Sequence, residues 1–247
     1  MYGWRARIGL LLPSTDTTTE PEFYGLAPPG VTFHSARMII RSITVEGLME
    51  MEKESIRAAE EVATAGVNLI GFCCTSGSFI KGPLFEREVQ DKIERITGIP
   101  ALTTSQAVLQ GLRTLQLKKI AVATPYNDEI NQKEKEFLEG NGMEVVKILG
   151  LNISRMERRF PLTQREVSPI GLLEPYVAYK LAREVNCNEA DGLLISCTGF
   201  RTIEIIEALE KDLQKPVISS NQAMFAEILK KVGIGEGIEG HGSLLRR

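Results

Sequence analysis

Histidine is scarce in this sequence, with two residues in a chain of 247. His34 and His241 are too few for most zinc sites and for most catalytic systems in which a histidine activates a serine or cysteine. The four cysteines include no CxxC pair and are too few for a disulfide framework. We therefore expect no bound metal and expect the thiols to be reduced.

A basic surplus and a long apolar run are also missing. The net charge is -3, and the Lys and Arg residues are scattered along the chain, so we expect no nucleic-acid partner. No apolar window long enough for a membrane span and no signal-peptide pattern are found, so we expect a cytoplasmic protein with no membrane association. The 43% hydrophobic and 25% charged residues are typical of a globular protein.

Short apolar runs alternate with amphipathic stretches, and this alternation predicts an α/β fold with doubly wound parallel sheets. The predicted strands are Arg7 to Pro13, Val67 to Phe72, Lys119 to Ala123, Glu144 to Leu149, Gly192 to Ile195 and Pro216 to Ile218. The predicted helices are Glu46 to Ala65, Leu84 to Ile96, Ser105 to Leu115, Glu129 to Glu139, Leu173 to Val185, Thr202 to Asp212 and Gln222 to Val232.

The second half of the chain repeats the first in type and order. This repeat predicts two pseudo-symmetric halves, residues 1–117 and 118–247, with the C-terminal helix free to cross over to the first half. Ligands of such sheets bind beyond the carboxyl ends of the strands, so we expect an active site in the cleft between the halves. The matching segments are Arg7 to Asp16 with Lys119 to Asp128, Asn68 to Thr75 with Asp191 to Thr198, and Pro100 to Ala107 with Pro216 to Ala223.

Cys74 and Cys197 occupy equivalent strand ends in this repeat. Helices that begin there are expected to lower the thiol pKa and to offer backbone N–H groups to a carboxylate. Two opposed thiols can exchange protons next to a carboxylate without an organic cofactor, which fits racemisation and cis-trans isomerisation alike. The alternative is two buried core cysteines. The residues expected to hold the carboxylate are Thr75, Ser76, Thr198 and Gly199.

Several motifs along nearly the whole chain resemble the aspartate/glutamate racemase superfamily, in the branch that contains maleate cis-trans isomerase and arylmalonate decarboxylase. These motifs are Trp4 to Gly9, Leu12 to Ser14, Thr17 to Phe23, Cys74 to Phe79, Ala123 to Tyr126 and Ser196 to Gly199. The resemblance implies that Cys74 adds to the alkene as nucleophile and that Cys197 is the acid/base. It further implies that Tyr126 hydrogen-bonds a substrate carboxylate and that Ser14 and Asp16 lie in a substrate-binding segment.

Asp16 is the main departure from this pattern, because maleate isomerases have an asparagine there. A carboxylate at that position would repel a dianionic substrate. Asp16 could be protonated, bind an amino or ureido nitrogen, accept a proton from a thiol, or simply cap a turn or helix. In arylmalonate decarboxylases the position of Cys74 is a glycine, so the presence of both thiols argues against that activity.

Four functions therefore compete, all with a small-molecule carboxylate as the partner. A maleate-type cis-trans isomerase is preferred, and an amino-acid or hydantoin racemase, an arylmalonate decarboxylase-like enzyme and a non-enzymatic carboxylate-binding protein are the alternatives. We expect a homodimer or homotetramer. The arginine-rich segment Asn152 to Gly171 is open to interpretation as a solvated loop, a lid or a subunit surface.

Overall fold

The protein's structure, a computed structural model, describes residues 1–153, 158–159 and 166–246. Arg155 and Arg165 of the arginine-rich segment lie outside the described residues. Two four-stranded parallel sheets, each flanked by helices, form the framework. This arrangement confirms the predicted α/β class.

The first sheet comes from the first half of the chain, and all its strands run parallel in the order β2-β1-β3-β4. The strands are β1 (Ala6–Pro13), β2 (Val31–Met38), β3 (Leu69–Phe72) and β4 (Ala101–Thr103). The helices around this sheet are α1 (Thr19–Leu26), α2 (Val45–Lys53), α3 (Ser55–Ala63), α4 (Thr75–Phe79), α5 (Phe85–Thr97) and α6 (Thr104–Thr114).

The second sheet repeats this layout with the order β10-β9-β5-β6, in which β5, β6, β9 and β10 correspond to β1, β2, β3 and β4. Its strands are β5 (Lys119–Thr124), β6 (Glu144–Gly150), β9 (Gly192–Ile195) and β10 (Val217–Ser219). A short antiparallel pair, β7 (Arg158–Arg159) and β8 (Glu166–Val167), lies outside both sheets. The helices are α7 (Asp128–Gly140), α8 (Pro175–Val185), α9 (Ile206–Leu213) and α10 (Ser220–Lys231), with a 3₁₀ turn at Ile170–Leu172.

The repeat extends to the way helices α6 and α10 begin. Thr103 and Ser219 each form a capping box with the glutamine three residues on, Gln106 and Gln222. The two helices pack against each other across the halves. Gly111 of α6 also lies close to β10 of the second half, because a Cβ atom there would lie 2.3 Å from Ile218 Cδ1.

The sequence prediction was wrong in a few elements, each for a local reason. Strands β2 and β4 were not predicted, because β2 alternates buried and more exposed residues and β4 has only three residues. The helix expected after Cys74 is present as α4, with five residues. Helix α1, which contains Pro21, was also not predicted. The single helix predicted over Glu46 to Ala65 is two helices, since the N–H of Glu54 bonds to the carbonyl of Met51, only three residues back.

The core joins the halves through apolar and aromatic side chains. Phe23 of α1 meets Phe225 of α10 edge to face, with 5.2 Å between ring centroids.

Within the described part of the chain, no helix combines the length and apolar character needed to cross a bilayer.

Candidate active site

Cys74 and Cys197 line the same cavity, at the carboxyl ends of the central strands of the two sheets. The cavity volume is about 50 Å³, which is room for only a few water-sized groups. The cavity therefore accommodates only a small ligand. Both halves contribute to the wall. The lining residues are Pro13, Thr15, Asp16, Ile40, Ile43, Leu48, Cys74, Thr75, Ser76, Tyr126, Ser168, Ile170, Gly171, Cys197, Thr198 and Gly199.

Cys74 is the N-cap of the short helix α4, and its Sγ accepts a hydrogen bond from the backbone N–H of Gly77 at 3.4 Å. Ser76 Oγ lies 3.9 Å from the same sulfur. Burial nevertheless raises the pKa of the Cys74 thiol to about 11, and these two hydrogen bonds only oppose that rise. The expectation that a helix N-terminus would leave this thiol with a lowered pKa was therefore wrong.

Cys197 adopts a backbone conformation that L-residues rarely occupy, with φ at 114°. Its N–H donates to Ser220 Oγ at 3.0 Å, which helps to hold this conformation. Burial raises the pKa of its thiol to about 12, whereas hydrogen bonds with Tyr126 and with the backbone of Gly199 lower it. No helix begins directly after Cys197, because α9 starts at Ile206, so the expected helix N-terminus is missing here.

Asp16 lines the cavity and also caps the turn into α1. Its Oδ1 accepts the N–H groups of Thr18 and Thr19 at 2.8 and 2.9 Å, and its Oδ2 accepts the Thr19 hydroxyl at 2.6 Å. Burial raises the pKa of Asp16, and these hydrogen bonds oppose the rise. Asp16 thus both caps the turn before α1 and lines the cavity.

Tyr126 lies in the loop after β5, where it is buried and lines the cavity together with the two cysteines. Its backbone N–H donates to Thr124 Oγ1 at 3.0 Å, which fixes the start of the loop. Burial raises the pKa of Tyr126 well above its usual value, so its hydroxyl keeps its proton and is available as a donor.

The residues expected to hold a carboxylate also line the cavity, and two of them connect the halves. Thr75 Oγ1 donates to Ser220 Oγ at 2.9 Å, and Thr198 Oγ1 donates to the carbonyl of Cys73 at 3.3 Å. Ser76 and Gly199 complete the set. The structure thus brings these four to the cysteines, and their roles in binding stay predictions.

Ser14 is the exception among the predicted site residues. It is exposed, its N–H donates to the Met38 carbonyl at 2.7 Å, and its Oγ accepts the N–H of Ile40 at 3.2 Å. Successive residues of extended chain point to opposite sides, so Pro13 and Thr15 reach the cavity and Ser14 does not. The assignment of Ser14 to substrate binding is corrected to a role in joining the ends of β1 and β2.

Sequence reasoning did not predict the hydrogen bonds that join Asn221 to Glu22 next to the cavity residues. Asn221 Nδ2 donates to Glu22 Oε2 at 2.6 Å and to the Thr198 carbonyl at 2.9 Å. Glu22 also accepts the N–H groups of Thr202 and Ile203, so α1 holds the segment after Cys197. Asn221 and Ser220 fall in the last repeated segment, which the sequence indicates to lie near the floor of the cleft. Glu22 falls in the motif Thr17 to Phe23, but the motif does not reveal its contacts with the segment after Cys197.

The described lining residues of the cavity include several apolar side chains and no cation. Four aliphatic side chains face it, and none of its described lining residues is Lys, Arg or His. Arg37 bonds instead to the Asp16 carbonyl and to Glu20. Across the described residues, no group of three or more His, Cys, Asp or Glu side chains is placed to hold a metal ion. The aliphatic residues are Ile40, Ile43, Leu48 and Ile170.

Two similar α/β halves with a cysteine from each in one cavity define the class of the aspartate/glutamate racemases. A sequence model described as arylmalonate decarboxylase matches residues 8–245, and the chain belongs to this family. The recognition made from the sequence motifs is thereby confirmed.

Individual relatives carry two different activities in their names. The maleate isomerase of Geobacillus stearothermophilus is 26% identical, over 97% of this chain and 96% of its own. The arylmalonate decarboxylase of Bordetella bronchiseptica is 29% identical over 91% of this chain and 93% of its own. The crystal structure of the maleate isomerase Iso from Pseudomonas putida S16 superposes with a TM-score of 0.89, at 26% identity and over 98% of both chains.

Proposed function

We propose that the chain is a cofactor-independent cis-trans isomerase of the maleate isomerase type, with Cys74 as nucleophile and Cys197 as acid/base. The observation that carries this proposal is the meeting of two cysteines, from equivalent strand ends of the two halves, in one small cavity. Relatives named maleate isomerase that align over nearly the whole chain support it. The partner is a small-molecule carboxylate.

The reaction needs one ionised and one protonated thiol. Burial raises the pKa of both thiols, and hydrogen bonds from the Gly77 N–H and the Ser76 side chain favour the thiolate form of Cys74, which takes the nucleophile's role. The Cys74 sulfur bonds to one alkene carbon, and the displaced electron pair moves toward the carboxylate beside the other carbon. Cys197 then gives its proton to that other carbon.

Rotation about the carbon-carbon bond, now single, turns the cis arrangement into the trans one. The Cys197 thiolate takes the proton back, the double bond re-forms and the carbon-sulfur bond breaks, which restores the Cys74 thiolate. Thr75, Ser76, Thr198 and Gly199 lie beside the sulfurs and hold the carboxylate that accepts the electron pair.

A second candidate, an amino-acid or hydantoin racemase, is favoured by Asp16 and by the lack of a cation among the described lining residues. A dianion such as maleate would place one carboxylate near Asp16 without a cation in the described wall to neutralise it. A substrate with one carboxylate or carbonyl and an acidic C–H group avoids this repulsion. The paired thiols would then remove and deliver protons on opposite faces.

Proton NMR in deuterated water distinguishes these functions. Purified protein is incubated with maleate, an amino-acid and hydantoin panel, and an arylmalonate, and Cys187→Ala, which changes a cysteine away from the cavity, is the matched control. Conversion of maleate to fumarate supports the isomerase. Exchange of a Cα proton in the amino acids or hydantoins, with no conversion of maleate, supports the racemase. Loss of a carboxylate from the arylmalonate supports the decarboxylase. Broadening of ligand lines without turnover supports a binding protein.

We further propose a cytoplasmic homodimer or homotetramer built from halves that divide between residues 117 and 118. The four free cysteines suit a reducing compartment, which supports the cytoplasm. Closed homo-oligomers are the common state of soluble enzymes. The proposed division falls in the connection between α6 and β5.

A further inference from the structure

The peptide units that follow the two cavity cysteines are held by side chains from outside the cavity wall. The carbonyl of Thr198 accepts a hydrogen bond from Asn221 Nδ2 at 2.9 Å, and the carbonyl of Thr75 accepts one from Ser105 Oγ at 3.2 Å. Asn221 and Ser105 are buried, and neither is among the described residues that line the cavity. The proposed reaction gives neither of them a role.

These two contacts are equivalent in the two halves of the chain. Thr75 matches Thr198 in the repeat, and Ser105 matches Asn221 in its last segment. Ser105 and Asn221 are the second residues of α6 and α10, the helices that pack against each other. The same carbonyl group is therefore held in each half, by an alcohol in one and by an amide in the other.

A held carbonyl fixes the direction of the N–H group in the same peptide unit. Both peptide bonds are trans, so the N–H of the next residue points away from the carbonyl. The N–H groups of Ser76 and Gly199 therefore point away from Ser105 and Asn221, and both residues line the cavity. Gly199 lies next to the second thiol, since a Cβ atom built on it would be 3.8 Å from Cys197 Sγ. A hydrogen bond from the Gly199 backbone accordingly lowers the pKa of that thiol.

The Asn221 amide is oriented by its own neighbours. Its Nδ2 donates to Glu22 Oε2 at 2.6 Å as well as to the Thr198 carbonyl. A carbonyl oxygen has no proton to donate, so the amide nitrogen and not its oxygen must face Thr198. The side chain is thus fixed as a donor to this peptide unit.

The first half has a second donor to its carbonyl group. Ser78 Oγ donates to the Thr75 carbonyl at 2.9 Å and lies 2.6 Å from Ser105 Oγ. Loss of one serine hydroxyl therefore leaves that carbonyl with a donor. Among the described residues, Asn221 is the only one whose side chain donates to the Thr198 carbonyl, so the second half depends on a single residue.

We propose that Ser105 and Asn221 are a symmetric pair of positioning residues, which direct the N–H groups of Ser76 and Gly199 at the substrate carboxylate. Each acts through a peptide unit and does not touch the substrate. The inference rests on the proposed function, because it takes the cavity to be a carboxylate site. A carboxylate-bearing alkylating agent tests it without an alkene and without turnover, so the result does not depend on maleate being a substrate.

Iodoacetate and iodoacetamide alkylate a thiolate by the same displacement of iodide, but only iodoacetate has a carboxylate next to the reacting carbon. Peptide mass spectrometry at about pH 8 gives both rates for each cysteine. The iodoacetate-to-iodoacetamide ratio at Cys74 or Cys197 is divided by the ratio at Cys187, which does not line the cavity. The thiolate fraction and the access to the sulfur affect both reagents alike. The normalised ratio therefore measures how well the site holds a carboxylate, and we expect about threefold or more in the unmodified protein.

Asn221→Ala is expected to lower the normalised ratio at Cys197 about fivefold or more, because the Gly199 N–H loses its fixed direction. Thr104→Ala is the matched control. It removes a buried hydroxyl that donates to the Phe72 carbonyl at 3.0 Å and leaves both peptide units held. The ratio in this control should stay within about twofold of the unmodified protein.

The two serines give an independent test, including the case in which Asn221→Ala does not fold. Ser105→Ala should change the normalised ratio at Cys74 by no more than about twofold, because Ser78 still donates to the Thr75 carbonyl. Ser78→Ala combined with Ser105→Ala should lower it about fivefold or more.

Three results would overturn the proposal. A normalised ratio near one at both cavity cysteines of the unmodified protein would show that no carboxylate is held there. Equal ratios at Cys197 in the unmodified protein and in Asn221→Ala would show that the amide does not position the peptide unit. A fall of the same size in Thr104→Ala would show that any buried hydrogen bond has this effect.

Discussion

Thr75 Oγ1 donates a hydrogen bond to Ser220 Oγ across the two halves, with 2.9 Å between the oxygens. The same Ser220 Oγ accepts the backbone N–H of Cys197 at 3.0 Å. Since Thr75 directly follows Cys74, one hydroxyl fixes the surroundings of both cysteines. The relative placement of the two cysteines therefore depends on the Ser220 hydroxyl.

Ser220→Ala is expected to lower kcat about tenfold or more, because small displacements of reacting groups have large effects on rate. It also leaves two buried donors without an acceptor, which costs about 1–3 kcal/mol of unfolding free energy. Ser219→Ala is the matched control. It removes a helix cap at a cost of about 1 kcal/mol and should leave kcat within about twofold. Equal effects of both variants on kcat would contradict the role of Ser220.

The unusual backbone of Cys197 predicts an order of stability between two inactive variants. Glycine adopts a φ of 114° without strain, whereas alanine does not. Cys197→Gly is therefore expected to be more stable than Cys197→Ala by about 1 kcal/mol in chemical denaturation. In ordinary extended chain, alanine would be the more stable of the two variants. A Cys197→Ala variant more stable than Cys197→Gly would therefore show that the backbone of Cys197 is not strained.

Asp16→Asn tests whether the carboxyl group excludes a dianion. The amide keeps an acceptor for the Thr18 and Thr19 N–H groups and removes the negative charge from the cavity wall. We expect kcat/KM for maleate to rise about tenfold at pH 8, where any repulsion is largest. An unchanged or lower value would show that Asp16 does not limit use of maleate and acts chiefly as a cap.

Glu22 predicts a dependence of stability on pH. Burial raises its pKa from 4.5 to about 7, so the folded protein keeps a proton that the unfolded chain has released between these values. The free energy of unfolding therefore falls as pH rises from 4.5 to 7, by on the order of 3 kcal/mol from this residue. In Glu22→Gln this contribution is absent. Urea titrations at several pH values give the free energy of unfolding of both proteins. If this free energy changes with pH to the same extent in both, the assignment to Glu22 is refuted.

The repeat explains why the fold and much of the cavity could be predicted from the sequence. Matching segments place Cys74 and Cys197 at equivalent strand ends, and that symmetry required them to meet. What could not be predicted depends on burial, which only the folded chain defines. The raised pKa of both thiols reflects burial that outweighs their hydrogen bonds.

Single residues without a motif were the other limit. Glu134 resembles any acidic residue on an amphipathic helix until packing encloses it. That Thr15 and not Ser14 lines the cavity depends on the direction of each side chain at the end of β1, which composition does not reveal. The split of the helix predicted over Glu46 to Ala65 likewise depended on one local turn.

The central claim is that Cys74 and Cys197 act together on one alkene. Proton NMR of maleate with the unmodified protein, Cys74→Ala, Cys197→Ala and the control Cys187→Ala tests it most directly. The account predicts fumarate from the unmodified protein and from Cys187→Ala, and a loss of about a thousandfold or more in each of the other two. Fumarate formed at an undiminished rate by either cavity variant would contradict the account.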